Sequence, residues 1–492
     1  MRLTRPSGSR SQPDVRRRDF AIIFVVLMSV AAGNSGLQSV LPAIGREIHI
    51  PDPLVAGIFS LSALLWTLSA PVWARLSDQY GRKPMILIGL GGFVVSMTGC
   101  AFVVLAGLRH LIGPMVVFAG FASLRAIFGL IGSASNPAGQ AYVAERTNAS
   151  ERTDALATLA GAFGVGTVLG PAIAPFFVLP FVSFSGPMFG FAGAALVCLF
   201  LVVQGLPPER GRPALSFGRG VPLSRRGWRK ASTSRSIWLD PRVSPFLLYG
   251  FLVGSAQAVN GYTLGFLVID KVKMSPALAQ NFIQVAMMAG AVAGLMAQWG
   301  LIRIFRMKPN HLLLWGAGLA AFGNLLIVLA PTYGAMVSAY ALINIGYGFA
   351  RPGFSAGASL GASTAEQGKV AGAVTAVNGS CVIITPILGV WLYDHVHDAP
   401  FLINTLVLGL MAGFVVWNAT LRASGEVREA PLNEAEEAAL ENVANVNQVG
   451  MGESPNVSLQ ARTRHGPVDQ FRRRWRRLKL LEARRRRARL RS

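Results

Sequence analysis

Long apolar stretches, separated by short polar segments, make up most of the chain. Stretches of membrane-spanning length lie at about 20–44, 54–74, 84–107, 112–141, 156–178, 186–206, 244–269, 278–302, 310–330, 334–357, 369–393 and 400–421. Because an α-helix needs about 20 apolar residues to cross a bilayer, this pattern predicts twelve transmembrane helices. An even number of spans places both ends of the chain on the same side of the membrane.

The composition also indicates a membrane protein. Of the 492 residues, 52% are hydrophobic and only 14% are charged, whereas soluble proteins have about 25% charged residues. Cys100, Cys198 and Cys381 lie within predicted spans, so we expect packing residues rather than a disulfide framework. The first apolar run continues to Leu41, which is too long for the core of a signal peptide and favours a first transmembrane helix.

The positive charges are concentrated on one side of the predicted membrane. The net charge is +23, and with the N-terminus inside, 40 Lys and Arg residues lie in inside segments. The outside loops hold four, namely Arg46, Arg109, Lys271 and Lys273. Because Lys and Arg accumulate in cytoplasmic loops, both termini are predicted to be cytoplasmic. The basicity is therefore mostly a topology signal, and no nucleic-acid partner is expected.

A short basic turn connects the second and third predicted helices. It reads S-D-Q-Y-G-R-K-P over residues 77–84. Gly81 can adopt a positive φ at little cost, and Arg82 with Lys83 favours a cytoplasmic position. Residues 74–83 resemble the loop between helices 2 and 3 of the major facilitator superfamily, G-x-L-(A/S)-D-x-x-G-R-(K/R), with alanine in place of the first glycine.

This resemblance implies an all-α integral membrane fold of twelve transmembrane helices in two pseudo-symmetric six-helix bundles. It also implies a cytoplasmic gate, because in the family the acid of this loop helps to latch the two halves together. The start of helix 11, near Lys369, is the candidate partner. The expected gate residues are Asp78, Gly81, Arg82, Lys83 and Glu145.

An internal repeat agrees with two six-helix halves. A shift of 215 residues aligns helices 4 and 5 with helices 10 and 11 without a gap, and it pairs Pro137 with Pro352 and Pro171 with Pro386. Transporters are often built from such parallel repeats. The predicted organisation is an N-terminal tail (1–19), an N-terminal bundle (20–206), a cytoplasmic linker (207–243), a C-terminal bundle (244–421) and a cytoplasmic C-terminal tail (422–492).

Polar residues inside the predicted helices are candidates for a substrate cavity. Arg125 lies near the middle of helix 4, where a charge must face protein or a wet cavity. Its surroundings resemble the helix 4 motif of the superfamily, R-x-x-x-G-x-G, which implies a role in substrate or proton handling; a purely structural arginine is the alternative. Polar residues also recur at helical spacing on helices 1, 7 and 10, which line the cavity in this family, although such residues also join helices. The expected cavity residues are Asn34, Gln38, Arg125, Gln257, Asn260, Asn344, Tyr347 and Arg351.

Helix 5 contains a small-residue motif. Gly166, Gly170 and Pro171 resemble the antiporter motif of drug-efflux members, G-x-x-x-G-P-x-x-G-G, but Ala174 and Pro175 replace the final pair. Small residues four apart allow close helix packing, and proline bends a helix. Together with the turn motif this favours export, and generic helix packing is the alternative.

Several signatures are absent from the sequence. No Asp or Glu lies in the middle of a predicted span, so proton coupling would have to use peripheral acids or a proton of the substrate. The sequence contains no phosphate-binding loop, no nucleophile elbow and no metal-ligand cluster. We therefore expect no enzyme activity, no cofactor and no metal.

The C-terminal tail has a basic amphipathic pattern. Phe471, Trp475, Leu478 and Leu481 recur at helical spacing among arginines. Such a helix suits an anionic bilayer surface. A solvated disordered tail is one alternative, and nucleic-acid binding is another, because the same charges suit phosphates.

The sequence as a whole predicts a secondary active transporter of a small molecule that works by alternating access. It resembles the twelve-helix drug-efflux branch of the superfamily, so efflux of an amphipathic compound is favoured, with protons as the candidate coupling ion. A bacterial inner membrane is expected from the family. An importer or uniporter of a metabolite is one alternative, and a non-transporting membrane sensor or scaffold of the same fold is another.

Overall fold

The computed structural model describes residues 13–147, 152–179, 181–207, 237–362 and 366–424. Within these residues the chain is almost entirely helical, and β-pairing is limited to an isolated bridge between Leu179 and Ser183. Most of the predicted linker lies outside the described residues, and so does the predicted basic helix of the C-terminal tail.

Twelve long helical segments follow one another in the described residues, and we number them in chain order. They are α1 (Pro13–Glu47), α2 (Asp52–Tyr80), α3 (Arg82–Leu108), α4 (Pro114–Arg146), α5 (Arg152–Ile173), α6 (Gly186–Gly205), α7 (Ser244–Val272), α8 (Pro276–Phe305), α9 (Pro309–Leu329), α10 (Tyr333–Leu360), α11 (Gln367–Ser380 and Thr385–His395) and α12 (Ala399–Trp417).

Ten of these segments are long and apolar enough to cross a membrane. The other two are α5, whose apolar part is Gly161–Phe177, and α10, which is 28 residues long and contains Arg351. At 1.5 Å per residue α10 is about 42 Å long, which exceeds the hydrocarbon thickness of about 30 Å. The predicted fold of twelve membrane-length helices is confirmed.

Proline and glycine define several helix ends. Proline occupies the first or second position of α4, α6 and α8, where its missing N–H group costs no hydrogen bond. A single residue, Gly81, separates α2 from α3, and its φ of 106° lies in the left-handed region. Because glycine lacks a Cβ, it is the residue that adopts this conformation most easily.

The packing of the helices follows a two-fold pattern. We call α1–α6 the first half and α7–α12 the second half. Between the halves, α2 contacts α11, α5 contacts α8, and α1 contacts α7 and α8. Exchanging the halves converts the α2–α11 contact into the α8–α5 contact, as expected for two pseudo-symmetric bundles. The residue limits of the predicted bundles stay a prediction, because the described helices form one packed unit.

Large apolar side chains are exposed on the outer faces of many helices. They include Phe102, Leu196, Phe200, Trp315, Phe322, Leu406 and Leu410. Soluble proteins rarely expose so much apolar surface, whereas lipid is a suitable solvent for it. The chain is therefore an integral membrane protein.

Candidate functional site

Arg125 is a buried charge in the interior of α4. It is 2% exposed, and its Nη2 donates to Asn34 Oδ1 on α1 at 2.9 Å. The guanidinium carbon lies 4.5 Å from the ring centroid of Phe128 and 5.7 Å from that of Phe59. Among the described residues, Nε and Nη1 have no hydrogen-bond partner. Aromatic faces attract a cation, but they leave these two nitrogens without an acceptor.

Arg125 also lies at the interface between the two halves. The Phe59 ring contacts Tyr262 of α7, with 5.1 Å between the centroids, and the Tyr262 hydroxyl interacts electrostatically with Arg125. Asn34 and Tyr262 are only half-buried, so solvent-accessible surface begins next to the guanidinium. The structure thus places two predicted cavity residues, Asn34 and Arg125, in contact. Tyr262 lies beside them but was not predicted, because no polar residue lies three or four positions from it in α7.

A group of glutamines ties α1 to the second half. Gln38 Nε2 donates to the backbone oxygen of Gly261 at 3.2 Å, and Gln280 Nε2 donates to that of Ser39 at 3.1 Å. Gln284 is 4% exposed, and both of its amide atoms lack a partner among the described residues. Gln280 and Gln284 were not predicted, although their i, i+4 spacing is the signal that identified the other polar sets.

Two predicted cavity residues are packed inside the second half instead. Asn260 is 1% exposed; its Nδ2 donates to the Tyr347 hydroxyl at 3.0 Å, and its Oδ1 accepts from Asn404 at 2.9 Å. These bonds join α7, α10 and α12, which is the helix-joining role of polar residues in membranes. Gln257 and Asn344 are half-buried, and Asn344 donates to the backbone of the preceding turn at 2.9 Å.

Arg351 has an exposed side chain although it lies well inside α10. Its guanidinium lies within electrostatic range of the Cys381 thiol, which follows the first part of α11. A guanidinium at this depth is costly in contact with lipid, and we therefore assign it to a water-accessible space inside the helical array. No hydrogen bond or ion pair joins it to any described carboxylate.

The end of the array where α1 and α7 finish, which we call the Arg46 end, has an ion-pair network between the halves. Arg46 of α1 bonds both carboxylate oxygens of Asp270 on α7, with Nη2 at 3.1 Å from Oδ2. It also bonds Asp52 at 2.8 Å. Tyr393 donates to Asp270 at 2.7 Å, and His397 Nε2 lies 3.6 Å from the same carboxylate. The network connects the two halves at this end.

The opposite end, which we call the Asp78 end, contains the predicted gate residues. Arg82 Nη2 lies 2.6 Å from Asp78 and 2.7 Å from Glu145, so these side chains connect α2, α3 and α4. Lys83 Nζ donates to two backbone oxygens at the end of α6, at 2.9 and 2.6 Å. The Asp78 carboxylate is thus paired within the first half, and its latch to the start of α11 near Lys369 stays a prediction.

The second half has its own ion pairs at the Asp78 end. Arg242, just before α7, lies 2.7 Å from Asp240 and 3.4 Å from Glu366. The hydrogen bond to Asp240, with the charges of both carboxylates, raises the pKa of Arg242. These pairs connect the start of α7 to the start of α11.

The glycine motif packs α5 against α1. A Cβ on Gly170 would lie 2.6 Å from the backbone nitrogen of Gly36, and a Cβ on Gly166 would lie 2.7 Å from the Ala31 Cβ. Pro171 lies inside α5, and the chain changes to a 3-10 turn shortly after it. The small residues therefore permit a backbone approach that any side chain would block.

Asp19 is a buried acid that the sequence analysis did not select. It is 5% exposed, and its Oδ2 accepts from the Tyr142 hydroxyl at 2.7 Å. Its Oδ1 has no hydrogen-bond partner among the described residues. Asp19 follows three arginines in the predicted tail, so its pattern is that of an exposed segment, but α1 already begins at Pro13 and includes it.

A separate cavity of about 330 Å³ opens at the Arg46 end, and its lining includes Glu47, Arg109, His110 and Phe181. Within the described ranges, no three His, Cys, Asp or Glu residues form a group that could hold a metal ion.

Comparison with known proteins gives a consistent result. The family model described as Major Facilitator Superfamily matches residues 23–386. Tetracycline resistance protein, class D, from Salmonella ordonez is 26% identical over 410 residues, which cover 79% of this chain and 94% of that protein. Multidrug resistance protein 1 from Bacillus subtilis (strain 168) is 25% identical over 385 residues, 77% of this chain and 91% of that protein.

Solved structures share the fold at low sequence identity. A bacterial homologue of the human lysosomal transporter Spinster, in an inward-facing and unoccupied conformation, aligns with a TM-score of 0.63 and 13% identity over 86% of this chain and 100% of that one. The D-xylose-proton symporter aligns with a TM-score of 0.60 and 16% identity over 82% and 96%.

Proposed function

Because the chain belongs to the major facilitator superfamily, we propose that it is a secondary active transporter that exports a small amphipathic molecule by alternating access. Relatives named for resistance to tetracycline and to multiple drugs support export rather than uptake. The proposed location is a bacterial inner membrane with both termini in the cytoplasm, and the basic tail would contact anionic lipid.

The position of Arg125 is the observation that supports this proposal most directly. The residue combines a permanent charge, 2% exposure and a contact with Asn34, and it lies beside Tyr262 of the other half. A charge inside a membrane bundle costs at least about 2.5 kcal/mol on insertion scales. A binding site between two moving halves is a function that explains this cost.

The ion pairs suggest which conformation the structure represents. Arg46 and Asp270 join the halves at the Arg46 end, which the charge distribution assigns to the outside. In this proposal the outer side is closed, the cavity is reached from the cytoplasm, and transport requires the Arg46–Asp270 pair to break.

Proton coupling remains part of the proposal in a restricted form. The spans lack a central carboxylate, so the coupling proton would be taken up by a peripheral acid or would travel on the substrate. Asp19 is the best-placed peripheral acid, because it is buried and one of its oxygens has no partner in the described part of the chain.

Flux in proteoliposomes tests the proposal. The purified protein is reconstituted with an imposed pH gradient, and the movement of ethidium, 1-naphthamide and 1-naphthoate is followed, so that cationic, neutral and anionic amphipathic probes are compared. We expect protein-dependent flux of at least one probe that responds to the gradient. Liposomes without protein are the control. Folded protein that moves none of the probes would favour the sensor or scaffold function.

A further inference from the structure

The interior of the helical array has positive charge without a balancing acid. Arg125 and Arg351 lie inside α4 and α10, whereas the described Asp and Glu residues lie near helix ends. No ion pair joins either arginine to a described carboxylate. The inner surface that the two halves enclose is therefore electropositive.

Arg125 cannot become neutral by losing a proton. A guanidinium stays protonated in proteins, and an uncompensated buried charge is strongly unfavourable. The contacts seen at Arg125 are with neutral groups, namely the Asn34 amide and the Phe59 and Phe128 rings. Since Nε and Nη1 have no acceptor in the described part of the chain, the site lacks a negatively charged group.

The surroundings indicate what such a group would be attached to. The Phe128 ring contacts Trp66 at 5.3 Å between centroids, and Phe59 contacts Tyr262 at 5.1 Å. The guanidinium is thus placed among aromatic faces, which suit a flat apolar body. A carboxylate binds a guanidinium through charge-assisted hydrogen bonds, which are about twice as strong as neutral ones.

We propose that Arg125 anchors a binding site for an amphipathic organic anion, with the substrate's carboxylate on the guanidinium and its aromatic or aliphatic body among Phe59, Phe128 and Tyr262. Arg351 adds positive charge to the wet space and attracts anions into it. The assignment of this anion as the transported substrate rests on the proposed transport function, whereas its binding does not.

Binding of a matched probe pair tests the site. Full-length protein in nanodiscs of uncharged lipid is titrated with 1-naphthoate and with 1-naphthamide, which share the same ring system and differ in charge. We expect wild-type protein to bind naphthoate at least tenfold more tightly than the amide. Arg125→Gln should remove this preference, Arg125→Lys should retain part of it, and Arg303→Gln, at an exposed position at the end of α8, should leave it intact.

Three results would overturn the site. Equal affinity of the two probes in wild-type protein excludes an anion site without reference to any variant, so a poorly folded Arg125→Gln protein would not obscure the answer. A preference that persists in Arg125→Gln and is lost in Arg351→Gln would place the anion elsewhere. Competition of naphthoate by chloride at equal concentration would also overturn it, because the site would then be one for inorganic anions.

Flux separates this inference from the proposed function. Naphthoate that binds in an Arg125-dependent way but never crosses proteoliposomes supports the site and contradicts transport. Ethidium that is transported while naphthoate fails to bind supports transport and contradicts the anion site.

Discussion

Arg46 and Asp270 form an ion pair that joins the last turn of α1 to the last turn of α7, with Nη2 3.1 Å from Oδ2. Each residue has a further partner: Arg46 also bonds Asp52, and Asp270 accepts from Tyr393. The side chains are partly exposed, at 25% and 27%. Breaking a partly buried pair leaves a partly desolvated charge without a partner, which is costly, yet water can still enter when the halves separate.

Replacement of Asp270 by Asn should favour opening of the Arg46 end. The variant keeps the shape and removes the charge that crosses between the halves, so the closed arrangement loses stability. A loss of about 1.4 kcal/mol would change the ratio of the two states tenfold. Spin labels at His49 and Met274, both exposed, should show a longer distance distribution. Asp52→Asn is the control, because its bond to Arg46 lies within the first half; an equal shift there would contradict the assignment.

Replacement of Gly170 by Ala should impair folding and transport. The added Cβ would lie 2.6 Å from the Gly36 nitrogen, so α5 would have to move away from α1. Overpacking of this kind typically costs about 1–3 kcal/mol. Thermal unfolding in detergent should show the loss, and Gly193→Ala in α6, where the new Cβ meets nothing within 4 Å, should not. An unaltered melting temperature in the Gly170 variant would show that the contact is loose.

The sequence predicted the twelve helices because each depends on local composition: about 20 apolar residues in a row, with proline and glycine at the ends. It also identified Arg125 and Asn34, whose contact then followed from the fold. Asn260 and Tyr347 bond to each other inside the second half. The sequence did not distinguish them from residues that face the cavity. Helical spacing gives the face of one helix, whereas the neighbour on that face depends on the packing of all the others.

Residues whose role depends on several helices were missed for the same reason. Asp19 reads as part of a basic tail, and only its contact with Tyr142 of α4 shows that it is buried. Tyr262 is one aromatic residue in an apolar helix, and its significance comes from Phe59 and Arg125 of the other half. Such relationships between halves are long-range, and no periodic signal in the sequence contains them.

The membrane orientation can be tested with single cysteines. Lys273 is exposed at the Arg46 end and Arg303 is exposed at the Asp78 end. The Lys and Arg distribution predicts that an impermeant thiol reagent added to intact cells labels Lys273→Cys and not Arg303→Cys. The native cysteines are buried and should contribute little background. Labelling of Arg303→Cys alone would reverse the orientation.

Replacement of Asp78 by Asn should preserve insertion and abolish transport. The family latch predicts that this acid stabilises closure of the Asp78 end by interacting with a helix N-terminus. Such an interaction stabilises a carboxylate by about 0.3–1 kcal/mol, and by up to about 2 kcal/mol when it is partly buried. Labels at the exposed residues Gln79 and Gly372 should report more of the state that is open at this end. Arg75→Gln, which removes a charge at an exposed position one turn earlier on α2, is the control. Wild-type flux together with an unchanged distance distribution in the Asn variant would exclude the latch.

Replacement of Asn34 by Asp should place a carboxylate of the protein itself in the proposed anion site. Its Oδ1 already accepts from Arg125 at 2.9 Å, so the new carboxylate would pair with the guanidinium through this oxygen. The other oxygen would lose the bond that Asn34 Nδ2 donates to the Val30 backbone oxygen at 3.1 Å. Because the buried charge gains a partner, thermal unfolding should shift to higher temperature, while naphthoate affinity should fall at least tenfold and naphthamide affinity should change little. Asn34→Ala is the control: it removes the same amide without adding a charge, and it should retain most of the preference for naphthoate. A stabilised Asn34→Asp protein that binds naphthoate as tightly as the wild type would show that the anion does not need the Arg125 guanidinium.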